Sequence, residues 1–513
     1  MRSGIILLGF SFLISKVLGL LRDNMLAAQF GVGVNRAAVS AIHNLDIYYA
    51  AFRLPDLLFN LLSYGVLSAA FVPLFVEVLK KDGRDSAFKF ANEIMHAICG
   101  IIIGISVLMF IFTPQIVRIF VPGFGAEEFA VTVGLTRIML ITPIFFTIGS
   151  IAGGIQNAFH KFLGLSLAPI FYNIGIIGGI LFLSKDYGVY GVAIGVSIGA
   201  ALNMLIQLPG ILRAGFRFMI PRVIWSNRIK EMIMLSLPRI FGMSVTQLSL
   251  IVDTFIASGL TAGSITIINF ATNLETLPMG LIGISVAIVS FGTLSAYAAE
   301  QKISEFIKEI FNNTRRILFL LIPLTFGMLA LRIQIVRLLL GRGKFDWSDT
   351  ILTANTMGFL LSGLAFGGLV FLLARAFYAM KNTRTPVIIS CIAVVSNIVG
   401  SVVLTKIFHL ETYGLAIANA TANIINATLL IVFLSKRLNA AILDWKEIFK
   451  FIIGALVMVL AVQLAKSSFG YIFREIDTYP ELIVQTVSSI LVGVFVYFGA
   501  CWTLKCKDSI FKP

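Results

Sequence analysis

The sequence predicts an all-α polytopic membrane protein of about 14 transmembrane helices, arranged as two six-helix repeat halves and two extra C-terminal helices. Three observations predict it. Apolar residues fill 58% of the 513 positions against 13% charged, and mean hydropathy is +0.96, beyond what a large soluble core requires. Mostly apolar stretches of about 18 residues, long enough to cross the hydrocarbon core as a helix, recur along the whole chain. Segments of the two halves also echo each other.

Taken in order, the spans begin near Gly4, Asp46, Phe88, Phe129, Phe162, Gly188, Met232, Ser264, Ile310, Ile351, Pro386, Tyr413, Ile448 and Leu482. The first has the look of a secretion signal, with Arg2 ahead of an apolar run and Leu26-Ala27-Ala28 after it. Cleavage there would discard Lys16, Arg22 and Asp23, so the segment is read as an uncleaved first helix. Basic residues gather in short loops, the richest being Lys80–Lys89, Arg213–Lys230, Lys302–Arg316 and Lys436–Lys450. With a cytoplasmic N-terminus, that side collects roughly 24 Lys and Arg against about 10 on the other, which predicts that both termini are cytoplasmic. This distribution assigns the formal charge of +15 to the positive-inside rule and not to nucleic-acid binding. One stretch objects: Arg332, Arg337, Arg342 and Lys344 would face outward, so it is expected either to fold back on the protein or to mark a miscounted span.

The repeat is legible in two places. Ala158-Phe159, an apolar helix and Tyr190-Gly191-Val192-Ala193-Ile194 recur as Ala376-Phe377, an apolar helix and Tyr413-Gly414-Leu415-Ala416-Ile417. Asp23-Asn24-Met25-Leu26-Ala27-Ala28 is echoed by Asp253-Thr254-Phe255-Ile256-Ala257-Ser258. Repeated halves of one orientation suit a transporter that binds near the midplane. The expected divisions are 1–220 (helices one to six), 221–440 (seven to twelve) and 441–513 (thirteen and fourteen), with the joint in Arg213–Lys230.

Charge inside these spans is expensive and marks a functional site by default. Helical spacing puts Ser11, Ser15, Gly19 and Arg22 on one stripe of the first helix with Lys16 and Asp23 beside it, and Arg53, Asp56, Asn60 and Ser63 along the second. Arg239, Thr246 and Asp253 are seven apart in the seventh helix, and Asn269, Thr272, Asn273 and Thr276 line one side of the eighth. Asn and Thr residues also glue helices together, and Arg22 and Asp23 can neutralise each other, so part of this pattern serves packing. Three cations close together, Lys16, Arg22 and Arg53, ask for more than glue. An excess of Arg and Lys suits phosphate, and a lipid-linked phosphate fits best, because its head needs a polar path while its tail stays in hydrocarbon.

Other chemistries lack their residues. Cys99, Cys391, Cys501 and Cys506 have no metal or redox spacing and are expected to be small apolar fillers. His43, His96, His160 and His409 are scattered, with no metal-ligand motif. No GxxxxGK[ST] loop is present, so no nucleotide is expected.

At Ser15-Lys16-Val17-Leu18-Gly19-Leu20-Leu21-Arg22-Asp23, Ala51-Phe52-Arg53-Leu54-Pro55-Asp56, Ala70-Phe71-Val72-Pro73, and Pro238 through Asp253 to Leu277-Pro278, the chain resembles the MurJ (MviN) lipid II flippases of the multidrug/oligosaccharidyl-lipid/polysaccharide exporter superfamily. With the helix count, the resemblance covers essentially the whole chain. It implies a transporter, not an enzyme, that moves undecaprenyl-pyrophosphate-linked disaccharide-peptide from the inner to the outer leaflet of a bacterial inner membrane for cell wall synthesis. It also implies a lipid-tail groove on the last two helices and a pyrophosphate cavity at Lys16, Arg22, Asp23, Arg53, Arg239 and Asn273. Some positions depart from the family pattern. Lys16 stands for an Arg, Phe59 and Asn60 fall where an Arg pair is common, Tyr64 falls on a usual Glu, and Asn273 falls where helix eight offers an Arg. Arg53 and Arg239 are the expected replacements. Asp253, Asn397 and Thr421 resemble a sodium site found in some members, with Ser401 in place of a carboxylate one turn after Asn397. No other cofactor is expected, and membrane potential is the expected driving force. Alternatives are a flippase for another polyprenyl-linked glycan, a cation-coupled exporter of the same superfamily, or a membrane-embedded lipid-processing enzyme. The last would call for clustered Asp, His or metal-binding carboxylates, and the acidic residues here are dispersed.

Overall fold

A computed structural model describes residues 2–33, 41–64, 71–221, 226–473 and 478–506. A few helical side chains, Arg239 among them, lie outside the described set, as do residues 65–70, which hold the Ala70 of the motif above. Every regular element among the described residues is helical. Nine helices are long and apolar enough to cross a membrane, and eleven if Ile303–Ala330 with Arg332–Leu340 (bent by 77°) and Trp347–Leu361 with Leu364–Ala379 (bent by 45°) each count as one span. The fourteen expected from sequence are therefore not all established. The three outside this count are helical over Arg2–Phe30, Leu45–Leu58 and Asn227–Ser258, the segments that carry the candidate-site charges.

The chain falls into two compact units, residues 1–266 with 342–345, and residues 267–341 with 346–513. In the first, the helices Leu163–Gly178 and Val189–Leu205 cross where neither has a side chain in the way. A Cβ on Gly179 would stand 2.6 Å from the Cα of Gly195, and one on Gly175 would collide with Gly199. Both pairs are spaced by four, the small-xxx-small pattern that lets backbones meet in lipid, where apolar burial alone offers helices little reason to associate. An aromatic cluster of Phe71, Phe75, Phe88, Phe90 and Phe216 fills this unit's core, with Phe71 and Phe75 centroids 5.6 Å apart and Phe88 edge-on to Phe216 at 5.6 Å. In the second unit, Tyr497 donates its hydroxyl to the carbonyl of Phe319 at 2.8 Å, and Phe319 stacks edge-on against Phe451 at 5.4 Å. The last two helices, Trp445–Phe473 and Tyr479–Thr503, are thereby fastened to the helix Ile303–Ala330, while Leu460, Leu464, Phe495 and Trp502 stay exposed for lipid.

Among the described residues four helices run into a π turn: Phe59–Tyr64, Gly179–Leu183, Met279–Ile284 and Val403–Ile407. Their order repeats, since Met279 lies 220 residues after Phe59 and Val403 lies 224 after Gly179. Pro278 immediately precedes the third, and a proline without an N–H already breaks the α ladder there.

The end of the basic stretch 332–344 folds back on the protein. Lys344 donates its backbone N–H to the carbonyl of Ala28 at 2.7 Å, so residues 342–345 dock on the end of the first helix. Gly343 (φ +57°) and Gly31 (φ +67°) both need the left-handed region, and a Cβ on either would meet the other strand's carbonyl.

Candidate anion site

Arg22 and Asp23 close the polar stripe of helix Arg2–Phe30. Arg22 Nε and Nη2 both donate to Asp23 Oδ1, at 3.0 and 2.8 Å, and Nη1 donates to Asn173 Oδ1 at 3.4 Å. The Asp23 side chain is 6% exposed and that of Arg22 is 22% exposed. A lone charge at this depth would be prohibitive, whereas a hydrogen-bonded pair with one accessible end is tolerable. A guanidinium has five N–H donors, and three are spent here. Two remain for an incoming anion. Tyr48, Tyr49 and Tyr172 stand close enough to act on the Arg22 charge.

Arg53 lies one helix away in sequence, where Leu45–Leu58 carries it half-buried. Its Nε donates to Thr254 Oγ1 at 3.1 Å, and the carboxylates of Asp56 and Asp253 act on its charge. Asn60 hydrogen-bonds Asp56 in turn. The first unit thus groups the predicted residues in two sets, Arg22 with Asp23, and Arg53 with Asp253. Lys16 joins neither: it is exposed, its ammonium 5.6 Å from the Phe12 ring centroid. Phe59 leads a line of rings, 5.0 Å from Phe146, which stands 5.1 Å from Tyr172.

Asn273, Asn397 and Thr421 belong to the second unit. Asn273 is half-buried, and its backbone carbonyl accepts from the Thr276 hydroxyl at 3.1 Å. Asn397 is buried with its amide oxygen accepting from Ser401 at 3.3 Å, and Thr421 is exposed with its hydroxyl donating to Ile417 O at 2.7 Å. Asn397 and Thr421 offer sodium two neutral oxygens, one already engaged, which is a weak donor set for a hard cation that needs several oxygens. No cluster of three or more His, Cys, Asp or Glu able to hold a metal occurs among the described residues.

Three functional-looking residues were missed from sequence. Asn173 is a lone amide in an apolar helix. Asp46 is 4% exposed and accepts hydrogen bonds from Gly263 and Thr266. Glu275, the one charged residue of helix Ser264–Pro278, is 3% exposed with no hydrogen bond to its buried Oε1. For Asn173 and Glu275 the available signal was a polar residue inside an apolar span; Asp46, in the first turn of its helix, gave none.

The family model for "Lipid II flippase MurJ" matches residues 37–475. A probable lipid II flippase MurJ of Rhizobium tropici is 30% identical over 445 residues, 84% of this chain and 80% of its own length. The lipid II flippase MurJ of Burkholderia cenocepacia is 27% identical over 518 aligned positions, 98% of this chain and 97% of its own. A solved structure of lipid II flippase MurJ in an inward closed conformation has a TM-score of 0.80 at 27% identity, covering 98% of this chain and 99% of that one. An inward-facing multidrug resistance MATE family transporter of the MOP superfamily shares the fold, with a TM-score of 0.69 at 13% identity over 85% of this chain.

Proposed function

This chain belongs to the lipid II flippase MurJ family, and we propose from that premise that it moves lipid II from the inner to the outer leaflet of a bacterial inner membrane for cell wall synthesis. It is a multi-pass membrane transporter and not an enzyme. The observation that carries the binding step is Arg22, anchored on Asp23 and Asn173 with two donors to spare. Those donors match the oxygens of a pyrophosphate. Arg53 adds a second cation, moderated by Asp56 and Asp253.

Transport follows an alternating-access scheme in which the two halves rock about the site while the lipid tail trails along the last two helices. The recurring order of π turns supports the repeat on which this scheme rests. Loop charge supports cytoplasmic termini. The head group carries about two negative charges, and each is worth about 2.3 kcal/mol per 100 mV, so an inside-negative potential contributes roughly 4–5 kcal/mol toward export. No nucleotide enters the scheme. Sodium coupling is a subordinate proposal, checked by whether sodium-free vesicles still flip lipid II at the usual rate.

Complementation tests the reading. Expressed in a bacterium depleted of its own lipid II flippase, the chain restores growth and outer-leaflet lipid II, and Arg22→Ala removes both. A well-inserted protein that fails to rescue would transfer the proposal to another polyprenyl-linked glycan.

A further inference from the structure

Asp23 alone cannot orient Arg22. Both Arg22 bonds to it end on a single oxygen, Oδ1, so the guanidinium is held at one point and can swing about it. The second point comes from a different helix, through Nη1 to Asn173 Oδ1 at 3.4 Å. Together with the covalent tether at Nε, these two points define the plane of the fork.

Asn173 is itself held. It is 6% exposed, and its Nδ2 faces three acceptors: Pro169 O at 3.0 Å, Ser15 Oγ at 3.3 Å and Ser15 O at 3.4 Å. With acceptors on that side and a guanidinium on the other, only one orientation of the amide satisfies the network. Ser15 and Arg22 are seven residues apart, two turns of the same helix, so one amide grips the polar stripe at two points.

We infer that Asn173 is a positioning residue for anion capture: it fixes the plane of the Arg22 guanidinium so that the two unspent donors face the phosphate oxygens. The inference rests on the flippase reading above and assigns a role that neither the stripe of the first helix nor the family motifs indicate.

The test is a double-mutant cycle on the full-length protein in detergent, with undecaprenyl pyrophosphate as the probe and its dissociation constant as the readout. Arg22→Ala is expected to weaken binding by about 100-fold and Asn173→Ala by about 10-fold, in keeping with loss of charge-assisted hydrogen bonds. In the Arg22→Ala background, Asn173→Ala should change binding by less than about twofold, because its effect passes through the missing guanidinium. A packing role would instead add its full factor to the double variant, which would overturn the inference. Ser15→Ala serves as a milder second arm that removes one anchor of the amide, with an expected loss of about threefold that also disappears without Arg22. Wild-type affinity in both Asn173→Ala and Ser15→Ala sinks the positioning role alone. Wild-type affinity in Arg22→Ala sinks the cationic-site reading beneath it.

Discussion

Asp46 and Thr266 are joined twice: Asp46 Oδ1 accepts from the backbone N–H of Thr266 at 2.7 Å and from its hydroxyl at 2.6 Å, while Oδ2 takes the N–H of Gly263 at 2.7 Å. One carboxylate therefore satisfies donors at the opening of helix Ser264–Pro278, where unpaired N–H groups and the positive end of the dipole favour an anion. It links that opening to the start of helix Leu45–Leu58, whose own first turn is capped by Asn44 accepting from Asp46 N at 2.9 Å.

Asp46→Ala leaves buried donors unmet, at about 1–3 kcal/mol each. The expected outcome is a melting temperature several degrees lower by differential scanning fluorimetry in detergent, with Asp46→Asn intermediate because its carbonyl still accepts. An unchanged midpoint in Asp46→Ala would mean that water replaces the carboxylate at no cost.

Arg22→Lys keeps the charge and loses the fork. A lysine ammonium cannot bond Asp23, Asn173 and two phosphate oxygens in one plane. Flipping by reconstituted protein should fall by roughly 10-fold, corresponding to about 1.4 kcal/mol, while membrane insertion stays normal. Wild-type flipping would show that charge alone suffices.

Gly195→Leu places a branched side chain where Gly179 Cα and Gly175 O already sit at 2.8 and 3.0 Å from an ideal Cβ. Both obstacles are backbone, so the helices must separate. Overpacking of this kind costs about 1–3 kcal/mol or more, and the yield of monodisperse protein by size exclusion should drop sharply. Gly100→Leu, at a glycine with open space around it, is the matched control.

Gly343→Ala combines a left-handed backbone with a Cβ directed at the carbonyl of Ala28. The 342–345 segment should lift from the first helix. Hydrogen exchange reads this directly, since the N–H of Lys344 loses its partner at Ala28 and should exchange faster, with no change at the Asn92 cluster, where the side chain bonds Phe88 O and Met219 N.

Sequence and structure agree where a single local rule decides. The helices, the stripe ending at Arg22 and the glycine-rich crossing all follow from spacing or composition. Asn173 escaped because its meaning is non-local: nothing near Pro169 signals that an amide one turn later meets Ser15 and Arg22, about 150 positions away in the chain. Asp46 escaped for a related reason, since it lies at a span end, where charge is cheap and a cap looks like ordinary solvation. Asp253 was grouped with Asn397 and Thr421 by analogy, whereas its visible electrostatic neighbour is Arg53. The basic stretch at 332–344 was legible only as an exception to the loop-charge pattern, and its 342–345 end is pinned to a helix end by a contact that charge alone does not announce.

Each π turn holds one residue more than the α ladder would allow. Squeezing that residue back into α form would revolve everything beyond it by about 100°, one residue's worth of an α turn. A side chain facing a neighbouring helix would then face lipid, with no hinge opened and no loop lengthened. Among the described residues Met279–Ile284 is the π turn that runs straight on into a further long helix, Ser285–Ala299, so there such a step would turn a whole helix about its own axis.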